Sequence, residues 1–325
     1  MKFSKLRFNE GQSSRAGGIR LSLWVQLSLI TATFVGVYFI LRNLPNAQCD
    51  FLHYEVIEVL ADGTEVCAAT NHAKFVDLTV YKYPVSMEAE VVNIDAETGM
   101  HHFEAVFLGK DERPLLPHEL AVTHTERIHL MVVDPSLDDY HHVHPQALGA
   151  TGKYEFSFIP AGPGPYKFYA ELVPVQTKRQ AITYKYQSFD PAVLTSVGAA
   201  LGSGFSGEPV LRTEVDDYIF EIELQTVQNT IRLRRDNPLT LKVTHKDGTP
   251  IELEEIMGDY AHLVAFDESR TGFAHMHPLE RRLAASPGPE VDFLFYSPKT
   301  GHHRIWAQVQ IAGREVFAPF DVFVQ

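Results

Sequence analysis

The residue types best placed to do chemistry are six histidines in two matched sets. His129, His142 and His144 make one set and His262, His275 and His277 the other. The first two members are 13 positions apart in both (142 − 129 and 275 − 262), and both stretches close with His-x-His-Pro. Three imidazoles brought to one point suit zinc or copper, leave one or more coordination positions open, and need an acceptor behind each ring to fix its tautomer. Asp134 and Asp267, which occupy equivalent places, are candidates for that support. Met131 in one stretch and Met276 in the other would add a soft ligand and tilt the choice towards copper, although the two do not match in position. A structural reading competes. A histidine on an apolar strand is ordinarily hydrogen-bonded and packed against aromatics, and duplication copies a packing motif as faithfully as a metal site. His141, His101, His102, His302 and His303 fall outside the repeated pattern and are expected on the surface.

The histidines need elements that turn them one way, and a β-hairpin does so. With the turn centred on Ser136-Leu137, Asp134 pairs with Asp139, Met131 with His142 and His129 with His144. Directly paired residues share a face, as do residues two apart on one strand. All three histidines then point the same way as Met131, Val133 and Tyr140. The second copy obeys the same rule, with His262 opposite His277 among Val264, Phe266 and Phe273. The copies are 133 residues apart (262 − 129), the scale of a duplicated domain rather than of a solenoid repeat. The match extends to Phe158/Phe295, Gly164/Gly301, Tyr169/Trp306 and Ala170/Ala307, so one fold was copied with its core. Short alternating runs such as Phe103-Glu104-Ala105-Val106-Phe107, with turn signals every ten or so residues, predict antiparallel sandwiches of about 100 residues.

The fold class read from the sequence is mainly β: one N-terminal transmembrane helix followed by two duplicated antiparallel β-sandwich domains, immunoglobulin-like or cupredoxin-like. The boundaries are a basic cytoplasmic tail at 1–20, an anchor at 21–42, an extracytoplasmic collar at 43–86, a first sandwich at 87–197, a linker at 198–214 rich in Gly, Ala and Ser, and a second sandwich at 215–325. The anchor rests on the charge-free run between Arg20 and Arg42, which at about 1.5 Å per residue spans roughly 31 Å, with Trp24 and Tyr38 near its ends. Basic residues before it and acidic ones after it place the N-terminus in the cytoplasm and the bulk of the chain in the periplasm. Cys49 and Cys67, the chain's two cysteines, would then form a disulfide worth on the order of 3 kcal/mol.

The formal charge of −13 argues against a nucleic-acid partner, since phosphates need a basic surface. Neither a phosphate loop, a nucleophile elbow nor a His-Glu-x-x-His motif is present, and the chain is read as non-catalytic. Residues 239–278, from Leu239-Thr240-Leu241 through Asp247-Gly248-Thr249-Pro250 and Gly258-Asp259-Tyr260-Ala261-His262 to His275-Met276-His277-Pro278, resemble a family of exported bacterial proteins. Their β-sandwich modules carry a His-Leu-x-Val-x-Asp…His-x-His-Pro signature and sometimes accompany metal-handling genes. The first unit departs upstream, where Thr125-Glu126-Arg127-Ile128 replaces the Gly-containing approach. The resemblance implies an exported β-sandwich with a link to metal. The alternative, from a different class of function, is the one that a single membrane span and two acidic domains also fit: an accessory subunit that clamps or caps a larger respiratory or photosynthetic membrane complex, with the histidines as core residues.

Overall fold

Alternation of apolar and polar side chains governs most of the chain, and where alternation gives way to continuous burial both faces of a strand are covered. The computed structural model describes residues 22–43, 56–59, 65–68, 74–189, 207–226, 230–249, 251–279 and 289–325. The basic tail, Cys49 and most of the linker lie outside them, and so does any statement about a Cys49–Cys67 bond.

Residues 1–49 and 50–325 are separate units. The first contains helix α1 (Leu23–Asn43), which covers the run assigned above to the membrane. Leu23, Trp24, Ile30 and Phe34 are all exposed along it. Gln26, Ser28, Thr31 and Thr33 interrupt its apolar character, and among the described residues no helix is long and apolar enough to cross a membrane. The anchor therefore rests on the sequence run alone.

The second unit holds twenty strands among the described residues. The first repeat uses β4 (Ser86–Ile94), β5 (His101–Leu108), β7 (Ile128–Val133), β8 (Tyr140–Val143), β9 (Gln146–Ala147), β10 (Lys153–Phe158), β11 (Gly164–Leu172) and β12 (Ala181–Phe189). They form two antiparallel sheets, ordered β4-β5-β10-β9 and β12-β11-β7-β8. The second repeat uses β13 (Arg212–Val215), β14 (Tyr218–Leu224), β15 (Asn237–His245), β16 (His262–Asp267), β17 (Gly272–Met276), β18 (Glu290–Phe295), β19 (Gly301–Ile311) and β20 (Arg314–Val324). Its sheets run β13-β14-β15-β18 and β20-β19-β16-β17-β3, where β3 is Val76–Asp77. Each repeat is thus a sandwich with its own core, built on Phe103, Phe107, Tyr154 and Phe168 in the first and on Phe220, Leu241, Phe293 and Phe320 in the second.

The collar does not stand apart as the sequence suggests. Its strands β1 (Val56–Val59) and β2 (Glu65–Ala68) pair with each other, and β2 runs parallel to β6 (Val122–Thr123) beside the first repeat's histidine strand. Its β3 extends the second repeat's sheet. The segment carries unpaired backbone groups that the repeats' sheet edges can satisfy.

The histidine strands β7 and β16 are buried at every position. One face looks into its own sandwich; the other packs against the opposite repeat through Met131, Val133, Tyr140, Tyr169, Val264, Phe266, Phe273 and Trp306. A sheet covered on both faces loses its alternation. Three histidines expected on the surface also lie in the interior: His302 shares the strand face of Trp306, which meets the first repeat, whereas His101 packs against Phe103 and Phe189 and His303 against Phe75 and Phe295, inside the sandwich cores. His101 (2 % exposed), His302 (4 %) and His303 (0 %) are buried. His302 Nε2 meets Asp321 Oδ1 at 2.6 Å, and His303 Nε2 meets Ser297 Oγ at 3.0 Å.

Candidate metal centre

Hairpin register does bring each histidine set together. Met131 pairs with His142 and Val133 with Tyr140; Val264 pairs with His275 and Phe266 with Phe273. Asp134 accepts from Ser136 and from the amide of Asp139, and Asp267 accepts from Thr271 and the amide of Gly272. These aspartates therefore shape the hairpin turns and do not support the histidines, which corrects the expectation above. Met276 belongs to the core of the second sandwich, on the face away from the histidines, so no matched thioether ligand exists.

His129, His142 and His144 offer nitrogens within 4.8 Å of one another, and so do His262, His275 and His277. Four of the outer nitrogens have partners. His129 Nε2 donates to the Thr123 carbonyl at 2.9 Å, and His262 Nε2 to the Ile256 carbonyl at 3.0 Å. Gln308 Nε2 donates to Glu315 at 3.0 Å. This turns Gln308 Oε1 towards His142 Nδ1, 2.8 Å away, so the proton is assigned to that nitrogen. His275 Nδ1 meets Glu171 Oε2 at 3.3 Å.

With those protons placed, the inner nitrogens of these four rings are bare acceptors. His129 Nδ1 and His142 Nε2 face each other at 3.3 Å, two lone pairs that repel unless a cation or a proton lies between them. Nitrogens bound to one zinc at about 2.0–2.1 Å with tetrahedral angles are roughly 3.3–3.4 Å apart. His144 Nε2, His262 Nδ1, His275 Nε2 and His277 Nδ1 are buried without a hydrogen-bond partner, and such atoms are costly to leave unsatisfied. The donor set fits a borderline metal such as zinc or copper.

Electrostatics agree with that chemistry. Burial pushes the imidazoles of His124 and His144 down to about 3 and that of His129 to about 4. His142, His262 and His277 are lowered well below the ordinary range for the same reason. At neutral pH the imidazoles of His124, His129, His142, His144, His262 and His277 are therefore uncharged, the form that binds metal. Burial by itself would raise the Glu171 carboxyl, but the hydrogen bonds from His275 and Gln180 act against it, and it is lowered to about 2.

The two sets are neighbours. Ring centroids of His142 and His275 are 5.2 Å apart, and those of His129 and His275 5.5 Å. Support also crosses between the repeats: Gln308 of the second backs His142 of the first, and Glu171 of the first backs His275 of the second. These two residues occupy equivalent positions, Glu171 opposite His129 on β11 and Gln308 opposite His262 on β19. They follow the matched pairs Tyr169/Trp306 and Ala170/Ala307 by one step, and that continuation was the available signal. His124 is a further member that sequence reasoning missed. It stacks on His277 with centroids 3.7 Å apart, and it forms a third ligand group with His277 and Asp259. Its counterpart in the second repeat is Met257, which hid it from a comparison of the copies.

The approach to the two histidine strands is also alike in shape. Thr123 and Glu126 exchange backbone hydrogen bonds at 2.7 and 2.9 Å around His124 and Thr125, and Ile256 and Asp259 do so at 2.7 and 3.0 Å around Met257 and Gly258. All four central residues have positive φ. Thr125 thus adopts the left-handed backbone that Gly258 takes without strain.

A family profile described as a domain of unknown function, DUF8832, matches residues 213–325, the second repeat. No curated protein matches the chain. Among solved structures the chain is similar to the tetra-tandem repeat in the extending region of a large adhesion protein, at 10 % identity and a TM-score of 0.24 over 74 % of this chain. It spans about half (49 %) of that protein's length. It is also similar to fibronectin(III)-like modules of CbhA from Clostridium thermocellum, at 9 % identity and a TM-score of 0.19, covering 73 % of this chain and 93 % of that one. MtrC from Shewanella baltica follows at 6 % identity and a TM-score of 0.22, covering 74 % and 70 %.

Proposed function

We propose that this chain is a non-catalytic, membrane-anchored periplasmic metal-binding protein whose paired trihistidine sets hold zinc or copper. One observation carries the reading: His129 Nδ1 and His142 Nε2 face each other at 3.3 Å while their other nitrogens are engaged by a carbonyl and an amide oxygen. A packing histidine has no need of such an arrangement, because a proton on either inner nitrogen would serve it if the outer partners were different. The histidines, the buried carboxylate of Glu171 and the amide of Gln308 together make two ligand pockets that exclude water and hold neutral imidazoles. The anchor in this proposal rests on the apolar run 21–42.

The full chain, purified in detergent, is expected to retain zinc or copper by elemental analysis. His142→Ala and His275→Ala are each expected to remove part of it. A chain that takes up neither metal, with a melting temperature indifferent to chelator, would sink the proposal. A second reading, an accessory subunit of a membrane complex, is favoured by the exposed Leu23, Trp24, Ile30 and Phe34 of helix α1, since exposed large apolar side chains on one element mark contact with lipid or another protein. Extraction from the native membrane in mild detergent distinguishes the two: co-purification in fixed stoichiometry with integral membrane proteins supports the subunit reading, and a lone chain counts against it.

A further inference from the structure

The two ligand pockets share their histidines but not their surroundings, and the inference drawn from that difference rests on the metal-binding reading above. Behind His142 stands a carboxamide, Gln308; behind His275, at the equivalent position, stands a carboxylate, Glu171. A carboxylate that accepts the outer N–H of a ligating imidazole raises the ring's basicity and its hold on the metal. A hydrogen bond to an ionised acceptor is roughly twice as strong as one to a neutral amide.

A second asymmetry has the same sign. Asp259 Oδ2 is 3.7 Å from His277 Nδ1, and His124 lies against His277, so that these three side chains offer further ligand atoms within 4.8 Å at the edge of the second pocket. The matching residues of the other copy are Glu126, whose carboxylate accepts from Gln146 at 3.3 Å, and Met257. The second pocket thus has Glu171 behind one ring and Asp259 and His124 at its edge, where the first has an amide and a carboxylate already engaged by Gln146. Two divalent ions in pockets whose rings are 5.2 Å apart also repel each other, so whichever site is more anionic is filled first and the other is filled against that ion's field.

We infer that the centres are functionally unequal: His262, His275 and His277 form a retained site that fills first, and His129, His142 and His144 form an exchangeable site from which an ion is passed on. Glu171 is the positioning residue that sets the order.

Titration of the metal-free full chain with Co²⁺, read by the visible absorption of the tetrahedral ion and repeated with Zn²⁺ in competition, tests the assignment. The wild-type chain is expected to bind two equivalents in two steps at least tenfold apart. His275→Ala removes the tight step and His142→Ala the weak one. Glu171→Gln weakens the tight step by about 10–100-fold, bringing the two together, and Gln308→Glu strengthens the weak one. Two equivalents bound with a single affinity, or a Glu171→Gln chain whose two steps are unmoved, overturns the inference while leaving metal binding intact. Absence of any cobalt signal removes the metal reading and this inference with it. Should Glu171→Gln fail to fold, Gln308→Glu decides alone, because an unchanged weak step overturns the assignment.

Discussion

The first and second repeats solve the same edge problem in different ways. In the second, the outer strand β17 is covered by β3, with Gly272 opposite Asp77 and Phe273 opposite Val76. A Cβ on Gly272 would lie 1.8 Å from the Val76 carbonyl oxygen, so only glycine permits the pairing. In the first repeat the equivalent residue is Asp139, on the approach to β8. Among the described residues no strand flanks it on the outer side, and it instead accepts from the Ala161 amide and the Tyr166 hydroxyl. One copy closes its edge with backbone and the other with a side chain. A duplicated fold keeps its core under strong constraint, whereas its edges are free to take whatever partner the neighbouring chain supplies.

The largest effect is expected where the copies meet. Trp306 packs on Tyr140 with centroids 5.6 Å apart and donates from Nε1 to the Leu137 carbonyl at 3.1 Å. Its counterpart Tyr169 donates to the Arg270 carbonyl at 2.6 Å. Trp306→Ala should cost about 3–5 kcal/mol in denaturant unfolding. Tyr169→Phe should cost about 1 kcal/mol, because Lys167 Nζ still satisfies the Arg270 carbonyl at 2.7 Å. Equal losses would show that the hydrogen bond, rather than the ring, joins the repeats.

Gly272→Ala comes next. It should cost about 1–3 kcal/mol and accelerate hydrogen exchange at the amides of Phe75 and Leu78, which now bond to Tyr296 and Thr271. Unchanged exchange there would mean that β3 is not held by this edge. Asp139→Ala in the other copy should leave those amides protected.

The smallest effect is a titration. Burial lowers the His303 imidazole from 6.5 to about 4. The unfolded chain therefore binds its proton first, and the stability is present above about pH 6.5 and lost as the pH falls towards 4. His129 and His144 shift in the same direction. The metal-free chain should show a falling unfolding midpoint across that window, and bound metal should flatten the fall. A flat profile in the metal-free chain would place these imidazoles in water.

Much of this was legible. The exact spacing of the histidine stretches carried the duplication, and the two-residue periodicity of strands fixed the hairpin register from the turn outward, down to Met131 opposite His142. Contacts between the copies were not legible. Alternation identifies a face as apolar but not what covers it, so Glu171, Gln308 and the burial of His302 stayed hidden. His124 was invisible for a different reason, since a residue that only one copy carries leaves no trace in their comparison.

The reciprocal supports have one more consequence. Leu137 meets Trp306 and Arg270 meets Tyr169, so exchanging the copies maps the contacts onto one another, as across a twofold subunit interface. In a dimer of single repeats, such pockets would be complete only above the dissociation constant. Joined in one chain, they are complete at any dilution, and the two halves are free to differ, one with a carboxylate where the other has an amide.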